Sequence, residues 1–109
     1  MGIFSRQAVI KMPEPSREAR YALATAEVED SKQQIEVLDE RIAQFKRTFN
    51  LVEGPWRTIQ HVELRNVSDY AKVAADWRAL WQERDQAKKL LDARLAVWAG
   101  LKGELECHK

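Results

Sequence analysis

Cysteine is almost missing from this 109-residue chain: Cys107 stands alone, third from the end, so no internal disulfide can form. A reducing, cytoplasmic compartment is the default expectation. Long apolar runs are missing too. The longest charge-free apolar stretch near the C-terminus, LAVWAGL at 95–101, falls far short of the roughly 20 residues that cross a bilayer. The opening MGIFSRQAVIKMPEP carries no extended apolar core of a secretory signal, and Arg6 stands where a myristoylation signal places Ser or Thr. No membrane insertion is expected. Nor is there a surplus of charge: 18 Lys and Arg against 17 Asp and Glu give +1, which argues against strong non-specific attraction to nucleic acid or anionic lipid.

Histidine is scarce as well, and the two present, His61 and His108, belong to no HExxH or Glu-x-x-His pattern. The His-x-Glu at 61–63 is followed by no Cys-x-x-Cys, and the adjacent Cys107 and His108 leave most of a tetrahedral shell unfilled. No metal and no cofactor are expected. No nucleophile, base and orienting group can be assembled either, so the chain is not read as an enzyme.

What the sequence does contain is helical periodicity. After PEP at 13–15, which cannot continue a helix, Ser16 is a good N-cap, and a seam at alternating three- and four-residue steps follows. It runs Tyr21, Ala24, Val28, Ser31, Ile35, Leu38, Ile42, Phe45, Phe49, Val52, with one polar member. The residues between are solvated ones such as EVED and DER, so an amphipathic helix is expected over about 17–52, stopped by EGP. A second helix is expected over about 69–99, with Ser68 as cap, continuing to 105 if it survives Gly100 and Gly103. Its seam reads Tyr70, Val73, Trp77, Leu80, Arg84, Ala87, Leu91, Arg94, Trp98. The two glycines read as a helix end that supplies positive φ.

Two such helices, joined by some 15 residues, fold most simply as an antiparallel, coiled-coil-like hairpin. Domain organisation follows: an extended N-terminal tail, 1–15, and a single helical domain, 16–109. If the chain turns between Phe49 and Tyr70, facing residue numbers sum to about 120. That register sets the acidic stretch 21–45, with six acids against two bases, opposite Arg84, Lys88, Lys89 and Arg94. Arg84 then lies near Glu36 or Asp39 or snorkels to water. The connector 53–67 suits a short helix begun at Pro55, with a strand through Thr58, Val62 and Leu64 as the alternative.

Two helices hide one stripe each, and the leftover apolar residues are the candidate contacts. Trp77 and Trp98 belong to the seam, whereas Trp81, Leu90 and Val97 are read as a second apolar strip that another chain covers. Trp56 is either a lid on the hairpin or an exposed anchor. The tail residues Ile3, Phe4, Val9 and Ile10 are expected to dock on this chain or a neighbour. The function read from this pattern is non-enzymatic and protein-directed: a small oligomeric structural, adaptor or assembly-chaperone subunit, like the helical hairpins among viral accessory and secretion proteins by fold analogy alone. The alternatives are an inhibitor that fills one host protein's groove with a helix face, and nucleic-acid binding through Arg78, Lys88 and Lys89.

Overall fold

The computed structural model describes residues 14–107, so the tail positions Ile3, Phe4, Val9 and Ile10, and His108, lie outside the described residues. Helix α1, Arg17–Phe49, and helix α2, Tyr70–Cys107, pack against each other as an antiparallel hairpin. Between them lie strand β1, Val52–Glu53, a tight turn at Pro55–Arg57, strand β2, Ile59–His61, and a 3-10 turn at Val67–Asp69. The object is elongated. Its radius of gyration is 22.5 Å, against about 13 Å for a compact domain of roughly 100 residues.

Helix α1 begins where the sequence indicates. Ser16 takes extended backbone, and its hydroxyl accepts from the Ala19 amide at 3.1 Å. Its end comes earlier than expected, at Phe49 rather than 52, because Asn50 adopts the left-handed conformation with φ 47°. Leu51 N–H then donates to the Lys46 carbonyl at 2.8 Å and Asn50 N–H to that of Arg47 at 3.4 Å, which closes the helix in a Schellman motif. Leu51 turns inward to join Ile42 and Trp77, while Val52, expected on the seam, leaves the helix and is half exposed.

The connector corrects the preferred short helix. Only one tight turn forms at Pro55–Arg57, and the strands that flank it are not the expected one, since Thr58, Val62 and Leu64 all lie outside them: β1 and β2 pair antiparallel, Val52 with His61 and Glu53 with Ile59, through a register irregularity. A helix cannot run on from Pro55 because Trp56 and Arg57 both have positive φ, 59° and 63°. Ser68 is not an N-cap either; it lies inside the 3-10 turn that leads into α2. At its other end α2 continues through Gly100 and Gly103 to Cys107. Neither glycine has positive φ, so the expected helix stop does not occur.

Facing residues follow the expected register. Arg84 Nε donates to Asp39 Oδ1, which settles that arginine as paired, and the carboxylate raises its pKa further. Trp98 Nε1 donates to Thr25 Oγ1 at 2.9 Å while its ring stacks on Tyr21 at 5.8 Å. The polar member of the first seam meets an arginine of the second: Ser31, 1% exposed, accepts from Arg94 Nη1 at 2.7 Å, and the same nitrogen reaches the Glu27 carbonyl at 3.0 Å.

Candidate interaction surfaces at the tip and along the shaft

The large side chains gather at the connector end. Ile42, Leu51 and Trp77 are buried there, with Phe45, Phe49, Ile59, Val62, Leu80 and Trp81 packed around them. Trp77 stacks tilted on Phe45 at 5.8 Å and receives the edge of Trp81 at 5.7 Å. Its indole N–H donates to the Arg57 carbonyl at 2.7 Å. That bond ties the tight turn to the core. Arg57 is held twice more: its Nη1 donates to both Asp85 carboxylate oxygens, at 2.7 and 2.8 Å, and its guanidinium lies 4.2 Å from the centre of the Trp81 ring. The same guanidinium holds the Asp85 carboxyl below its ordinary pKa.

These anchors carry a turn that propensity disfavours. Two successive left-handed residues between antiparallel strands make the backbone of a type I′ turn, a place for Asn-Gly or Asp-Gly. A side chain bearing Cβ is strained there by about 1–2 kcal/mol per residue. Thr58 N–H and Oγ1 both donate to the Pro55 carbonyl, and Gly54 N–H donates to the Thr58 carbonyl at 2.7 Å. Gly54 is required by that closeness, since a Cβ on it would meet Thr58 Oγ1 at 2.7 Å. The outcome for Trp56 is unusual. With its neighbour pinned inward, it points out of the fold, 96% exposed.

Beside Trp56 lies an open groove of about 580 Å³ lined by Thr58, Ile59, Tyr70, Ala74, Trp77 and Arg78. Arg57 also lines it but is taken by Asp85, whereas Arg78 meets no carboxylate in a salt bridge among the described residues. Among the described residues the groove therefore combines aromatic walls with the positive charge of Arg78.

Along the shaft the expected second strip divides. Trp81 and Leu90 are nine residues apart, and at 100° per residue that is about half a turn, so they sit on opposite flanks of α2. Trp81 is half-buried against Trp77 and Arg57 of its own chain. Leu90 and Val97, 41% and 59% exposed, share the other flank with Glu83, whose carboxylate accepts from Arg41 of α1 at 3.3 Å. Arg41 fixes which flank of α1 lies alongside, and on it stand Leu23 and Val37, 62% and 58% exposed. Apart from Tyr70 at the connector end, the exposed large apolar residues described on the two helices, Leu23, Val37, Leu90 and Val97, thus lie on one face. The opposite face is charged, with Lys32 beside Glu29 and Lys88 beside Asp92.

Among the described residues no three His, Cys, Asp or Glu side chains cluster as a metal site, and no helix is long and apolar enough to cross a membrane. His61 is exposed on β2 and Cys107 is exposed at the end of α2. Of the residues singled out from sequence, Trp56, Leu90 and Val97 are exposed and Trp81 is held by its own chain. Leu23 and Val37 were missed, although each directly precedes a seam position, as do Leu90 and Val97. No family model, curated protein or solved structure matches the chain.

Proposed function

We propose that this protein is a non-enzymatic contact module, a small structural, adaptor or assembly-chaperone subunit, and that the hairpin tip docks a partner protein. The observation that carries the reading is Trp56: a large aromatic side chain kept in solvent by a strained turn whose neighbour is anchored three ways. Strain held at a surface site points to use of that site. Tryptophan is also the side chain that most often dominates the energy of a protein contact. The adjoining groove offers Tyr70 and Ile59 as further apolar area and Arg78 as a contact for a carboxylate. Nucleic-acid binding through Arg78, Lys88 and Lys89 is less well supported, because Lys88 faces Asp92 and the neighbouring Arg57, Arg84 and Arg94 each face a carboxylate of this chain, which leaves few cations free for phosphates.

The test is Trp56→Asn, since asparagine tolerates the left-handed conformation. The variant should gain about 1 kcal/mol in stability, a rise of roughly 4–8 °C in melting temperature for a domain of this size. Partner capture from the native host, compared quantitatively with wild type, should be lost at the same time. A stabilised variant that captures the same proteins in the same amounts overturns the reading.

A further inference from the structure

We infer that the shaft face bearing Leu23, Val37, Leu90 and Val97 is covered by a second copy of this chain, packed antiparallel across a two-fold axis. The surface is separate from the tip, and the inference goes beyond the docking proposed there. Its basis is the placement of the four residues. Facing residue numbers sum to 123 at both Arg84–Asp39 and Trp98–Thr25. Leu90 is therefore level with residue 33 of α1, and Val97 with residue 26. Leu23 and Val37 are centred on residue 30, and the α2 pair is centred within one residue of the same level. A two-fold axis lying in this face and crossing the helices at Asp30 and Ala93 sets Leu23 on the partner's Val37 and Val97 on the partner's Leu90. A contact between two copies about such an axis is self-complementary in this way. A foreign partner imposes no such symmetry on the four positions.

Polar groups stand on the axis and at both rims. Asp30, which falls on it, already accepts from Gln34 at 3.2 Å and from Arg94 at 3.4 Å, so neutralised groups meet there rather than bare carboxylates. Ala93 on the other helix is small enough to let the two α2 helices approach. At one end of the patch stand Arg41 and Glu83, paired, and at the other Arg20 and Glu104, both exposed. The axis sets Arg41 over the partner's Arg20 and Glu83 over the partner's Glu104, so each rim is neutral as a set of two cations and two anions while like charges face across it, which limits the affinity. From Arg20 to Arg41 the face is about 32 Å long, and two helices are roughly 20 Å wide. Each copy then buries on the order of 600 Å², at the lower end of what specific complexes use. Association should accordingly depend on concentration.

The experiment is sedimentation equilibrium of the full chain from about 10 to several hundred micromolar, with circular dichroism alongside. Wild type should pass from the 12.7 kDa monomer to twice that mass. Val37→Lys should weaken association about thirtyfold or more while helicity is unchanged, because that side chain is exposed in the hairpin. Adding Leu23→Glu to it should restore the dimer, since the new carboxylate sits on the partner's lysine. Within one chain the two positions are about 21 Å apart and cannot pair. Leu90→Lys with Val97→Glu provides the same comparison on the other helix. A wild type that stays at 12.7 kDa throughout, or a dimer indifferent to Val37→Lys, overturns the inference. So does a dimer that the double variants fail to restore. Trp56→Asn should leave the mass unchanged, which separates failure here from failure of the tip proposal.

Discussion

The two ends of this hairpin are built from different material. At the tip, Phe45, Phe49, Leu51, Trp77 and Trp81 fill a space widened by the β-ribbon, and the turn is tied down by indole and guanidinium groups. Along the shaft the first seam offers Ala24, Val28 and Ser31, and the second answers with Leu91, Arg94 and Trp98. Apolar burial holds the tip, whereas small residues and a hydrogen-bonded arginine hold the shaft. A hairpin needs its large side chains where the connector can cover them. Farther along, each helix has a neighbour on one side only, and a large apolar residue there stays half in water.

The sharpest way to break this comparison is truncation on each side of it. Trp77→Ala removes a side chain 2% exposed and leaves the Arg57 carbonyl without its donor, so a loss of about 3–5 kcal/mol is expected in urea unfolding. Leu91→Ala, 9% exposed in the shaft, should lose about 2 kcal/mol. An equal or greater loss at Leu91 would mean that the shaft, not the tip, carries the stability. A smaller effect is expected at the polar crossing. Arg94→Leu strands the buried Ser31 hydroxyl and should cost about 1–3 kcal/mol, while Arg94→Leu with Ser31→Ala should recover most of it. If the double variant is no better than the single, the arginine acts through packing alone.

The smallest effect is electrostatic. Arg57 lowers the Asp85 pKa in the folded chain, so the pair stabilises above the unfolded aspartate's value near 4. That contribution is lost as the pH falls through the lower, folded value. Asp85 is about half exposed, which limits the contribution to roughly 0.2–1 kcal/mol. Asp85→Asn should remove it at neutral pH and flatten stability against pH below about 5. An unchanged acid limb in that variant would show that the tip owes nothing to the pair.

Much of the shaft was legible in sequence because periodicity reports on it directly. The seams from Tyr21 to Phe49 and from Val73 to Trp98, the Ser16 cap and the facing register all appear in the structure. The tip was not legible, for identifiable reasons. Asn50 ends α1 through one left-handed residue that the apolar spacing does not record. Trp56 and Arg57 occupy a turn that local preference assigns to Asn and Gly, and it stands only because Trp77, Trp81 and Asp85, distant in sequence, hold it. Gly100 and Gly103 misled in the other direction. Each has open space around it and ordinary helical backbone, so composition suggested a stop that geometry does not require. Trp81 and Leu90 are both apolar but stand about half a turn apart on α2, so they face opposite flanks, whereas Leu23 and Val37 stand on the face that Leu90 occupies.

The position of the aromatic cluster also has a kinetic meaning. Bringing Phe45 to Trp77 closes a much shorter length of chain than bringing Tyr21 to Trp98, so the ring pair at the tip is entropically the easier one to form first. Once it exists, each further turn of helix pairing closes only a short additional loop, and the hairpin zips toward its open end. Opening runs the other way. The stacked Tyr21 and Trp98 part first, and the turn that holds Trp56 in solvent is among the last parts of the chain to come apart.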